Sequence, residues 1–119
     1  MIKQRPDVLK GATIKVQSSM GTAYNTINVI ETGPFEVFVN VKQGGSDTQA
    51  VAEAIGRLCS LVLRMPDGLT QIQKTREIIE QLEGIGGSRP VGDVRSLPDG
   101  LAKALKIYIG DNDDTDIHM

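Results

Sequence analysis

The spacing of apolar residues changes once along this 119-residue chain, near Gly44 and Gly45, and the change dictates an order of elements. Before it, Phe35, Val37, Val39 and Val41 alternate with Glu36, Asn40 and Lys42, the two-residue repeat of a strand with one buried face. "TIKVQSS" and "TAYNTINVIE" read as two further strands, and Gly21 and the "TGP" at residues 32 to 34 mark the turns between them. After it, "GGSDTQAVAEAIGRLCSLVLRMP" places Val51, Ala54, Ile55, Leu58, Val62 and Met65 on one helical face. A chain of this length with strands first and helices second makes one α+β domain. The expected architecture is a small antiparallel β-meander followed by two packed α-helices and a shorter third helix.

Local signals set the helix limits. Ser46 followed by Gln49 has the form of a capping box, and Pro66 supplies a stop. Ala52, Cys59, Leu61 and Leu63 lie off the main apolar stripe. The first helix is therefore expected to pack on the sheet and also on something else, either the other helices or a second subunit. Thr70 and Gln73 repeat the capping pattern ahead of a second helix, with Ile72, Ile79 and Leu82 inside and Gly84 as terminator. Ser96, Pro98 and Asp99 start the third, whose inner side is Leu101, Leu105 and Tyr108.

Composition narrows the chemistry. No apolar run is long enough to span a membrane, and "MIKQRPDVLKG" lacks a hydrophobic signal core, which predicts a cytoplasmic protein. The one cysteine, Cys59, excludes a disulfide framework and reads as a small buried hydrophobe. The one histidine, His118, sits beside the terminus, so neither a clustered metal site nor a serine-histidine hydrolase site is expected, and no cofactor is called for. The formal charge of −2 is unevenly distributed, because "DNDDTDIHM" holds four of the fifteen acids and no Lys or Arg. Residues 1–110 thus read as a single mildly basic domain and 111–119 as an acidic, mobile tail. Such a body suits a phosphate-bearing small molecule, while two Tyr, two Phe and no Trp argue against a nucleic-acid polymer.

The remaining unusual stretch is "GIGGSRPVGDVRSLPDG", residues 84 to 100, in which five glycines accompany two arginines. It matches neither a Walker nor a dinucleotide fingerprint. Either it is a connection whose arginines face water, or it is a binding segment. In the second case freed backbone amides and the Arg89 and Arg95 guanidiniums clasp a carboxylate or phosphate. Arg57, within the apolar first helix, either lies at a solvated edge or faces a polar pocket.

Together "RPDVLKGATIKV", "GTAYNTIN", "PFEVFVNVKQGGSDTQAVAEAIGRLCSLVLR", "IIEQLEGI" and "SLPDGLAKAL" resemble the TSCPD domain over about residues 5 to 106. That domain ends many adenosylcobalamin-dependent ribonucleotide reductases and also occurs as small free-standing proteins. The family's cysteines correspond here to Met20, Gly87 and Leu97, none of which ligates a metal, and the reductase barrel is missing. The resemblance therefore implies the fold and not the reductase activity.

In size and element order the chain is also similar to small phage proteins that counter the Thoeris defence by sequestering cyclic ADP-ribose-type signals. That likeness implies a non-catalytic, homo-oligomeric sponge for a phosphate-containing nucleotide, active in the cytoplasm of a bacterial host. On this reading Arg89 and Arg95, with the amides of Gly86 and Gly87, neutralise the pyrophosphate. Ser88 or Asp93 meets ribose hydroxyls, Leu82 and Val91 form an apolar wall, and Arg57 serves the same or a second anionic site at a subunit junction. The alternative is an accessory domain acting on a reductase subunit through protein contacts. A small nucleotide-degrading enzyme is the third reading.

Overall fold

The computed structural model describes residues 2–18, 20–86 and 94–110. Gly87, Ser88, Arg89, Val91, Asp93 and the acidic tail at 111–119 lie outside the described residues. The described chain is α+β: β1 (Lys10–Ser18), β2 (Gly21–Ile30), β3 (Gly33–Val41), α1 (Ser46–Arg64), α2 (Gln71–Leu82) and α3 (Leu97–Ile109).

The strands form one antiparallel sheet in the order β1-β2-β3. The first hairpin closes at the Ser18 and Gly21 pair. There Gly21 takes φ +121°, a conformation that a side chain would oppose. Ser18 Oγ accepts the Met20 N–H at 3.1 Å and donates to the Gly21 carbonyl at 2.9 Å, which holds the turn. The β2–β3 register slips once beside Asn28 and Val29. Strand alternation then places Val16, Ala23, Ile27, Val37, Val39 and Val41 on the covered face. On the other face Thr13, Lys15, Gln17, Phe38 and Asn40 meet solvent.

The helices pack against this sheet in different places, α1 along the edge of β3. α1 packs on β3, α3 on β1 and β2, and α2 between them against α3, β3 and α1. α3 supplies the centre of the core, with Leu101, Ala104 and Leu105 fully enclosed. Its start is as expected, since Ser96 accepts the Asp99 N–H and Pro98 stands in the first turn. With 13 residues against 12 for α2, α3 is shorter than α1 alone and not the shortest of the three.

α1 departs from the expected orientation. Its buried residues are Ala52, Gly56, Cys59 and Leu63, whereas Val51 is 53% and Leu58 64% exposed. Val62 and Met65 are also exposed, and of the expected inner stripe only Ile55 packs against the core. Proximity explains the rotation. A Cβ on Gly56 would stand 3.2 Å from the Val37 carbonyl oxygen, so only a face of small side chains lets the helix backbone approach β3 this closely.

The N-terminus of α1 also differs from expectation. Gly45 is the N-cap and makes no side-chain cap bond, and the Gln49 amide instead donates to the Val41 carbonyl at 2.7 Å. The box at Thr70 and Gln73 does form, with both reciprocal bonds in place. α2 buries Ile78 and Ile79 together with Gln71, Lys74 and Thr75, while Ile72 and Leu82 are half-buried. The polar part of that face has work to do at the end of α1, where the last carbonyls lack helical partners. Gln71 donates to Leu63 at 2.9 Å and to Pro34 at 2.6 Å, and the Lys74 ammonium reaches the Leu63 and Met65 carbonyls.

Candidate functional site

The glycine-arginine segment enters and leaves through a narrow neck. Gly84, with φ +83°, ends α2 in the left-handed conformation that a terminator requires. Its N–H donates to Asp99 Oδ1 at 2.8 Å, and the Arg95 N–H donates to Asp99 Oδ2 at the same distance. One carboxylate from the first turn of α3 therefore joins both stems. Ser96 Oγ donates to the Ile85 carbonyl, a second tie across the neck.

Gly86, at φ +150°, packs directly on the returning stem: a Cβ there would stand 2.6 Å from Arg95 Cβ and 2.7 Å from the Arg95 carbonyl oxygen. Val94 fixes the exit by burying its side chain in the core over Gly100. Of the residues expected to bind, Gly86 and Arg95 are thus brought together. Leu82 is half-buried against the hydrophobic core, and its carbonyl accepts the Ile85 N–H at 3.2 Å.

Arg57 lies elsewhere, in a groove of about 650 Å3 between the edge of β3 and α1 whose lining, among the described residues, includes none of residues 82–86, 94 and 95. Its side chain is 79% exposed, and the guanidinium pairs with Glu53 at 2.7 Å, one helical turn away. Two more arginines border this groove. Arg5 clasps Glu36 through Nε at 2.9 and 3.1 Å. Arg64 donates twice to the Lys3 carbonyl and lies 5.2 Å from the centre of the Phe35 ring, within cation-π range. Phe38, Leu61 and Ile2 supply apolar wall.

Glu36 is the buried acid of the groove. Burial, the largest influence, resists its charge, but hydrogen bonds from Arg5 and Asn28 with the attraction of Arg5 and Arg64 outweigh it and hold the carboxyl below its ordinary range. Cys59 behaves oppositely: burial pushes its thiol up to about 11, so at neutral pH it is a packed group rather than a nucleophile. Among the described residues no group of three or more His, Cys, Asp or Glu could hold a metal ion. No helix of the described residues is long and apolar enough to cross a membrane.

Sequence reasoning missed Asp99 as a joining residue and took it only as a helix starter. The Ser-x-x-Asp spacing signals only the helix start, whereas the carboxylate reaches past the cap to Arg95 and across to Gly84. Arg5, Glu36 and Arg64 were missed because residues 28 to 59 positions apart in sequence meet only in the fold. Of the three positions that the resemblance equates with cysteines, Met20 is exposed and Leu97 is buried, and Gly87 lies outside the described residues. No curated protein and no solved structure matches the chain. The TSCPD domain pattern, however, matches residues 1–109, nearly the full length and including the Ser96–Asp99 neck, and the chain belongs to the TSCPD domain family.

Proposed function

We propose that the protein is a non-catalytic binding module that sequesters a phosphate-containing nucleotide, with a cyclic ADP-ribose isomer as the first ligand to test, and releases it chemically unchanged. The observation that carries this reading is the contact of Gly86 with Arg95 at a neck joined by Asp99. A plain connection between two helices has no need of a largely buried carboxylate serving both stems. A phosphate-binding segment gains from it, because backbone amides held in place at its stems bind with less ordering cost. Arg89, Gly87, Ser88, Val91 and Asp93 complete the proposed site from outside the described residues, and Arg57 with its groove serves a separate anionic site.

The test is isothermal titration with cyclic ADP-ribose isomers, cyclic oligonucleotides and deoxynucleoside triphosphates, followed by heat release and chromatography of the bound compound. Recovery of an intact cyclic ligand, with weakened binding in Arg89→Ala and Arg95→Ala, supports the reading. An altered ligand makes the protein an enzyme, and alanine variants that bind as tightly as the parent remove both arginines from the site.

A second reading rests on α1, whose outward residues Val51, Leu58, Leu61, Val62 and Met65 leave an apolar face uncovered in the single chain. That face suits protein contacts, either with a further copy in a homo-oligomer or with a large ribonucleotide reductase subunit. Co-purification with that subunit, together with silence across the nucleotide panel, favours the accessory role.

A further inference from the structure

We infer that α1 pairs with α1 of a second copy of this chain, antiparallel and centred on Leu58, with a twofold axis relating the two copies; this rests on the reading of α1 as a contact face and names what covers it. α1 is apolar on two sides. Ala52, Gly56, Cys59 and Leu63 are buried, with the helix packed on β3, whereas Val51, Ala54, Leu58 and Leu61, with Met65 at the C-cap, are exposed. Val51, Leu58 and Met65 fall at every seventh position, and Ala54 and Leu61 repeat the same interval. That is the spacing of a seam between two helices, here about 21 Å long at about 1.5 Å per residue. A helix apolar on both sides needs a second neighbour.

The rest of the chain is a poor cover for this seam. Outside the described residues the apolar groups are Met1, Pro90, Val91, Ile117 and Met119, too few and too scattered to match it. A second copy brings an equal seam, and the charges fit one direction of pairing. By helical position, Arg57 and Arg64 flank the seam on one side with Glu53 next to them, and Ile55 and Val62 flank it on the other. Turning one helix end for end about an axis through Leu58 brings like flanks together. Glu53 lies about 7.5 Å before that axis and Arg64 about 9 Å beyond it, so Glu53 comes level with the partner's Arg64. Symmetry makes this pair twice. The two Arg57 side chains come together near the axis, each held by its own Glu53 at 2.7 Å. A parallel pair would instead set Arg57 and Arg64 against the partner's Ile55 and Val62.

Light scattering and cysteine cross-linking on the full chain test the pairing. At high micromolar concentration the parent should have twice the mass of one chain. Leu58→Lys should have the mass of one, with the parent's circular dichroism spectrum. Leu58→Cys should form an intermolecular disulfide, because the axis brings the two positions together. Val51→Cys and Met65→Cys should each fail to cross-link alone, since the two copies of either position stand about 21 Å apart, and should cross-link to each other when mixed. These positions are exposed, so the variants keep the core, and the buried Cys59 does not compete.

A parent of single-chain mass, a Leu58→Lys variant that keeps the double mass, or a mixture of Val51→Cys and Met65→Cys that stays uncoupled would each overturn the inference. Val51→Cys coupling to itself would overturn it by making the pair parallel. A single-chain parent that co-purifies with a ribonucleotide reductase subunit, and loses it in Leu58→Lys, leaves α1 a contact face and removes only the second copy. A single-chain parent indifferent to Leu58→Lys in both assays removes the contact face as well.

Discussion

Ser60 Oγ accepts the Val37 N–H at 2.9 Å and donates to the Val37 carbonyl at 3.0 Å, so one hydroxyl on α1 takes the place of a neighbouring strand. β3 is an edge strand, and its outward amides and carbonyls would otherwise offer a template for pairing with another chain. Gln49 treats the Val41 carbonyl in the same way. Ser60→Ala removes both partners of Val37 at once. The expected cost is about 1 to 3 kcal/mol in urea unfolding, because each orphaned backbone group loses a bond that water reaches poorly. A midpoint equal to that of the parent would show that the hydroxyl contributes nothing at this edge.

Glu36 ties the N-terminal arm to β3, and its acid response has a definite sign. The folded carboxyl titrates below its ordinary value, so its contribution to stability is present above the unfolded value of about 4.3 and is lost as pH falls through the lower folded one. Glu36→Gln should flatten that part of the stability curve below about pH 4.3 and change the slope little between pH 6 and 8. Chemical denaturation at a series of pH values reads both limbs. An unaltered acid limb would mean that the Arg5 and Asn28 bonds do not persist in solution.

Cys59 provides a check on packing between α1 and the sheet. With its thiol pushed up to about 11, the thiolate fraction at pH 8 is roughly two orders of magnitude below that of a free cysteine. A disulfide reagent should therefore label the folded protein at least about a hundredfold more slowly than the protein in denaturant. Rapid labelling of the folded chain would show that α1 lifts away from β3 on the timescale of the reaction.

The sheet and the two capped helix starts at Thr70 and Ser96 were legible because strand alternation and cap chemistry are local. Gly21, Gly84 and the Leu101–Leu105 face likewise follow from nearby residues. Three features were hidden for a physical reason. Residue bulk pointed to Val51, Leu58 and Val62 as the inner face of α1, whereas the observed face is chosen by how closely a backbone can approach β3, which favours Ala52 and Gly56. The neck joined by Asp99 and the cluster of Arg5, Glu36 and Arg64 depend on contacts between distant parts of the chain, which no spacing along one element records.

The two faces of α1 can be told apart by a pair of substitutions. Leu63 is fully enclosed and Leu58 is 64% exposed, although both are leucines within two turns of the same helix. Leu63→Ala should cost about 2 to 5 kcal/mol, since it deletes packed atoms and leaves a cavity in the core. Leu58→Lys should alter the stability of the single chain by no more than about 0.5 kcal/mol, because it replaces a side chain that already faces water. Urea unfolding at low protein concentration measures both. The reverse order of effects would restore the stripe of Val51, Leu58 and Val62 as the inner face. A Leu58→Lys variant that keeps its single-chain stability but has a smaller mass in light scattering than the parent would place another copy of the chain on that helix. That result would favour assembly through α1.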